Sequence, residues 1–154
     1  MSSAGLFPSG RAATDHAIAT MADRGLDLET HRSHRLDTAM VQRADLVIGM
    51  AREHVREVAI IAPEALGRCF TLKELVRGGE AVGARKPSEP FADWLGHLSV
   101  GRRREDLVGV GHNDAFDIRD PAGSTRADYE VTADEIDGLL GRFIELVWPG
   151  ASID

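Results

Sequence analysis

The sequence has 154 residues, 43% of them apolar and 28% charged, with 25 acidic against 18 basic side chains and a formal net charge of −7. That length and apolar fraction fit one domain with a sizeable core. The acidic balance argues against sequence-independent nucleic-acid binding, which depends on Lys and Arg against phosphate. No run approaches the roughly 20 apolar residues of a membrane span. The start, Met1-Ser2-Ser3-Ala4-Gly5, lacks the basic and apolar regions of a signal peptide. Cys69 is the single cysteine, so no intrachain disulfide can form, and a reducing cytoplasm is the simplest location. The Arg102-Arg103-Arg104 run is answered at once by Glu105-Asp106 and reads as a solvated surface turn.

In chain order, Ser2 to Leu6 reads as the end of a strand entering a Phe7-Pro8-Ser9-Gly10 loop. Ala12 to Arg24 is Ala-rich and free of Gly and Pro, which predicts a helix stopped by Gly25. Asp37 can cap a short helix through Met40 and Val41. Leu46-Val47-Ile48-Gly49-Met50 predicts a brief strand buried on both faces. Ala51 to Ile61 places Val55, Val58 and Ala59 on one helical side, and Pro63 ends that helix. Cys69-Phe70-Thr71 predicts a short strand, and Leu72 to Val76 a helix closed by Gly78-Gly79. Phe91, Trp94, Leu95 and Leu98 have helical spacing, whereas the Gly-rich Val108 to Gly111 stretch reads as loop. For the last helix, Thr132 and Glu135 form a capping box, with Val131 and Ile136 as a hydrophobic staple. Ile136, Leu139, Leu140, Phe143, Ile144 and Val147 line its apolar face, and Pro149-Gly150 ends it. Strands alternating with helices imply an α/β fold of three layers, a parallel sheet covered on both faces. Residues 1–150 form the single domain and 151–154 a tail.

Several segments, in this order, resemble the low-molecular-weight protein tyrosine phosphatases, and their bacterial members in particular. They are Ser2-Ser3-Ala4-Gly5; Gly25-Leu26-Asp27 with His31-Arg32-Ser33 and Arg35-Leu36; and Ala44 to Met50 with Glu53-His54 and Arg56-Glu57-Val58. Phe70 to Leu75 follows, and then Asp117-Ile118-Arg119-Asp120-Pro121 with Tyr129. The resemblance implies hydrolysis of an aryl phosphate, on a phosphoprotein or a small molecule, through a phosphocysteine and without a cofactor. That reaction needs a thiolate of low pKa cradled by backbone N–H groups at a helix N-terminus. It also needs an arginine gripping two phosphate oxygens and an acid that protonates the leaving group. The family draws the first two from one Cys-x5-Arg loop. No such loop occurs here, because the residue six beyond Cys69 is Leu75. Cys69 itself reads as a small buried core residue.

The third part has a match. Asp120-Pro121 corresponds to the family's Asp-Pro loop, so the resemblance makes Asp120 the candidate general acid. Asp117 is a neighbour able to raise the Asp120 pKa by like charge. Ser3 matches a serine that supports the phosphate loop by hydrogen bonding. Ala122 and Gly123 stand where the family usually has an aromatic residue flanking the substrate ring, which weakens any tyrosine preference. His31 and His34 lack the further ligands of a metal site. A single cysteine also excludes the relay of a thiol-dependent arsenate reductase.

The Cys-x5-Arg loop follows the family's first strand, so the resemblance implies that the first βα unit is missing here, from a sheet whose order in the family resembles 2-1-3-4. The lost strand would lie between the Ser2 to Leu6 and Leu46 to Met50 strands, exposing two edges. Each buried unpaired backbone group costs about 1–3 kcal/mol, against a total stability of about 5–15 kcal/mol. Two explanations follow from that cost. Either the natural start lies upstream, or a truncated relative closes the gap by re-pairing, dimerising or taking a partner strand. The chain as given is expected to be inactive. The alternative is a non-catalytic relative serving as a binding or regulatory module.

Overall fold

Two three-residue strands form the middle layer: β1 (Val47–Gly49) and β2 (Cys69–Thr71). They pair in parallel, with Val47 opposite Cys69 and Gly49 opposite Thr71. The coordinates are a computed structural model that describes residues 2–102, 113 and 115–150. The expected turn at Arg103 to Asp106, the loop from Val108 to Gly111 and the 151–154 tail lie outside the described residues.

The period-2 geometry of a strand sends neighbouring side chains to opposite faces, and this divides the core in two. Val47 and Cys69 face a cluster of Val41, Val55, Val58, Ala62 and Ala65. These come from α2 (Thr38–Arg43), α3 (Arg52–Ile61) and a 3-10 helix, Pro63–Arg68, with Ala62 at the junction of the last two. Ile48 and Phe70 face a second cluster built on Leu75, Trp94, Leu95, Phe143 and Val147. These come from α4 (Leu72–Val82), α5 (Phe91–Ser99) and the 22-residue α6 (Arg126–Val147). The three-layer α/β arrangement with a parallel sheet is therefore as expected.

Five expectations need correction. The Ser2 to Leu6 segment, expected as the end of a strand, is not a strand of the sheet. It makes one isolated parallel bridge, Gly5 to Arg35, through Gly5 N–H to the His34 carbonyl at 2.8 Å and Leu36 N–H to the Gly5 carbonyl at 2.9 Å. Among the described residues the sheet has only two strands.

The helix expected over Leu72 to Val76 runs on through both glycines to Val82 and ends at Gly83, whose φ is +97°. Packing explains this. A Cβ on Gly79 would lie 2.8 Å from Leu146 Cδ1 and 3.2 Å from the Trp94 ring, so glycine here is a close-approach residue and not a helix stop.

The last helix starts about two turns earlier than expected. Thr125 is its N-cap, and Thr125 with Asp128 forms the capping box. Thr132 lies inside the helix with its hydroxyl 3.4 Å from the Arg119 carbonyl, and Val131 is 69% exposed, so no staple forms.

The first helix, α1 (Asp15–Ala22), is shorter than expected because Thr14 caps it through Ala17 N–H. Gly25, at φ +73°, follows it as predicted. Arg102 is no solvated turn residue. Its guanidinium grips both Glu74 carboxylate oxygens at 2.6 and 3.0 Å, donates to the Leu66 and Cys69 carbonyls and lies 4.3 Å from the Phe70 ring centroid. Among the described residues no helix is long and apolar enough to cross a membrane.

Candidate functional site

The C-terminal end of a parallel strand, followed by a helix N-terminus, is where α/β folds collect reactive groups. Here that place is the turn Met50-Ala51 between β1 and α3. The N-cap residue is Ala51, which has no oxygen to offer the first helical N–H groups. Two other side chains take up those donors. His54 Nδ1 accepts from Met50 N–H at 3.1 Å and from Ala51 N–H at 3.3 Å. Asp117, 65 residues away, accepts from Arg52 N–H at 2.8 Å.

Asp117 is buried, and both of its oxygens are engaged. The Arg52 guanidinium donates from Nε to both oxygens at 3.4 Å and from Nη2 to Oδ2 at 3.3 Å. Asn113 N–H adds a bond to Oδ2 at 2.8 Å. Burial alone would raise the Asp117 pKa. The N–H groups of Arg52 and Asn113, with the Arg52 guanidinium, outweigh burial and hold the carboxyl below its ordinary value of 3.8. The next residue, Ile118, donates its N–H to the Met50 carbonyl at 2.7 Å, so this loop is stitched to the strand end directly. Phe116 packs beneath two guanidinium groups, Arg77 at 5.6 Å and Arg52 at 6.0 Å from its ring centroid.

Asp120 follows two residues after Ile118 and is exposed. Its Oδ1 accepts from Ala122 N–H at 2.9 Å, which closes a local turn around Pro121. Two consecutive Cα steps span at most about 7.6 Å, so Asp120 stays close to the end of β1. Ser3 is exposed, two residues before the Gly5 bridge.

Cys69 sits at the opposite extreme. It is 1% exposed on the α3 side of β2, and burial pushes its thiol up to about 12 despite the Arg102 charge. His31 and His34 are both exposed, and no group of three or more metal-ligating side chains gathers among the described residues. A cavity of about 210 Å³ lies between Leu6, Arg35, Leu36, Glu57 and Ile61, smaller than the usual ligand pocket. Neither Asp117 nor Asp120 lines it.

Reasoning from sequence missed Arg52, Phe116 and the cap that Asp117 supplies. The signal for them is weak: a helix start at Arg52 preceded by an N-cap without a side-chain acceptor. Such a start must find its acceptor elsewhere in the chain.

The family model for low molecular weight phosphotyrosine protein phosphatase matches residues 1–91, more than half of the chain. The chain belongs to the low molecular weight phosphotyrosine protein phosphatase family. Among curated relatives, a probable low molecular weight protein-tyrosine-phosphatase, EpsP of Ralstonia solanacearum, is 32% identical over 93 residues. That match covers 60% of this chain and 64% of the relative, so less than two thirds of its length is spanned. Two solved structures share the architecture at a TM-score of 0.65. The low molecular weight protein tyrosine phosphatase from T. tengcongensis is 28% identical, with 94% of this chain and 75% of that one covered. The YwlE arginine phosphatase from Geobacillus stearothermophilus is 26% identical, with 94% and 71% covered.

Proposed function

We propose that this chain carries the acid half of a phosphomonoesterase site and that its 154 residues alone do not hydrolyse phosphate esters. The observation that carries the reading is Asp120-Pro121 on a loop bonded to the end of β1, in a sequence whose single cysteine is buried with its thiol at about 12. A phosphocysteine mechanism needs an accessible thiolate, and Cys69 is neither accessible nor ionised near neutral pH. The nucleophile and the phosphate-gripping arginine come from a Cys-x5-Arg loop that this sequence does not contain. With that loop present, Asp120 protonates the leaving oxygen or nitrogen, and Ser3 supports the loop.

The substrate class is a phosphorylated protein side chain or a small aryl phosphate, met in the cytoplasm. Relatives named as tyrosine and as arginine phosphatases support both phosphoamino acids, and the small residues Ala122 and Gly123 leave the ring-flanking position open.

The experiment is an assay of the 154-residue chain against p-nitrophenyl phosphate and phosphoarginine. No turnover is expected. Turnover abolished by Cys69→Ser would overturn the reading. In a version carrying an upstream Cys-x5-Arg segment, Asp120→Asn should lower kcat by about 10²–10⁴ for substrates with poor leaving groups. If that version binds phosphopeptides without cleaving them, the chain is a non-catalytic binding module instead.

A further inference from the structure

The buried Arg52–Asp117 pair does more than join two charges. Ala51 leaves the N-terminus of α3 without a side-chain cap, and Asp117 fills that vacancy from the far end of the sequence. The same carboxylate takes the Arg52 guanidinium and the Asn113 N–H. The Asp117 N–H donates to the Asn113 carbonyl at 2.8 Å, and Ile118 N–H donates to Met50. These contacts all converge on Asp117 and Ile118, whereas among the described residues the hydrogen bond to Asp120 is a local one, from Ala122 N–H. The register of Asp120 against the end of β1 is therefore inherited from Asp117 and Ile118.

We infer that Arg52 and Asp117 are positioning residues that clamp the Asp117–Pro121 loop onto the N-terminus of α3 and so set where Asp120 stands. The inference rests on the reading of Asp120 as the leaving-group acid. Asp117 then serves geometry: its charge is spent on Arg52 and on the helix N-terminus, and it acts on the chemistry only through the position of Asp120.

The test is residue-resolved amide hydrogen exchange on the 154-residue chain. Local opening raises exchange only where the clamp acts, whereas a general loss of stability raises it everywhere. Arg52→Ala is expected to speed exchange at Ile118 and Ala122 by about tenfold or more, with Val55 and Phe70 changed by less than about twofold. Arg52→Lys keeps the charge and the backbone donor but loses the guanidinium fork, and it should give a smaller rise at the same two amides. If Arg52→Ala does not fold, Arg52→Lys alone decides. A uniform rise across loop and core, or no rise at Ile118 and Ala122, would overturn the clamp. Asp120→Asn in the same experiment should leave Ile118 exchange unchanged. Exchange reports the loop and not the reaction. A failed clamp leaves the acid role of Asp120 to the leaving-group assay, and a failed acid role leaves the clamp standing.

Discussion

Cys69 packs against the α3 side of β2 with its thiolate form suppressed by burial. At pH 8 a thiol whose pKa is about 12 is ionised to only about one part in 10⁴. The native chain should accordingly fail to react with a disulfide reagent such as DTNB on a minutes timescale and react fully in denaturant, as absorbance would report. Asp117 gives the second expectation at this scale. Its carboxyl lies below its ordinary value in the folded chain. The unfolded chain therefore binds the proton more readily, and acid favours unfolding. The contribution is complete above about pH 4 and is lost as pH falls through the folded value. Melting temperature measured between pH 6 and pH 3 should drop, and Asp117→Asn should flatten part of that drop. Flattening is only partial because Asp128, whose carboxylate accepts from Thr125, is lowered as well and contributes with the same sign.

Helix ends show how far local signals reach. Thr-x-x-Glu occurs at Thr71–Glu74 and at Thr132–Glu135, and the two cannot be told apart by composition. The first is a working capping box on α4, and the second lies within α6, which begins at Thr125 instead. The reason is that Thr125-Arg126-Ala127-Asp128 also satisfies the capping geometry, and seven more residues can then join one continuous helix. Thr125→Ala should cost about 1 kcal/mol in chemical denaturation, whereas Thr132→Ala should stay within about 0.5 kcal/mol of the parent. The helical glycines divide in the same way. Gly138 has nothing within 4 Å of where its Cβ would stand, so Gly138→Ala should stabilise α6 by up to about 1 kcal/mol. Gly79→Ala gains the same helix propensity but drives a methyl into Leu146 and Trp94, and overpacking of that kind costs about 1–3 kcal/mol, so net destabilisation is expected. Urea denaturation of the two variants should therefore shift in opposite directions.

At the scale of the whole molecule, two clusters on either side of a two-stranded sheet hold the layers together, and Trp94 joins three of the helices. Its ring sits against Gly79 of α4, against Phe143 of α6 at a centroid distance of 6.5 Å and beside Phe91 of its own helix at 6.2 Å. Its Nε1 donates to the Gly83 carbonyl at 3.0 Å. Trp94→Ala should cost about 3–5 kcal/mol, a large share of a domain stability of about 5–15 kcal/mol, and the urea midpoint should fall steeply. The α/β class, both strands and the Phe91 helix were legible in the sequence because each is encoded by periodicity within a few residues. So was the Asp120-Pro121 turn, through its own local chemistry and its resemblance to a family loop. The partnership of Asp117 with Arg52, the placement of Arg102 between Glu74 and Phe70, and the passage of α4 through Gly78 and Gly79 were not. Each of these depends on what arrives from a distant part of the chain. A cap, an ion pair or a close helix approach exists only once tertiary packing has brought the second partner into place, and no local pattern records that partner's identity.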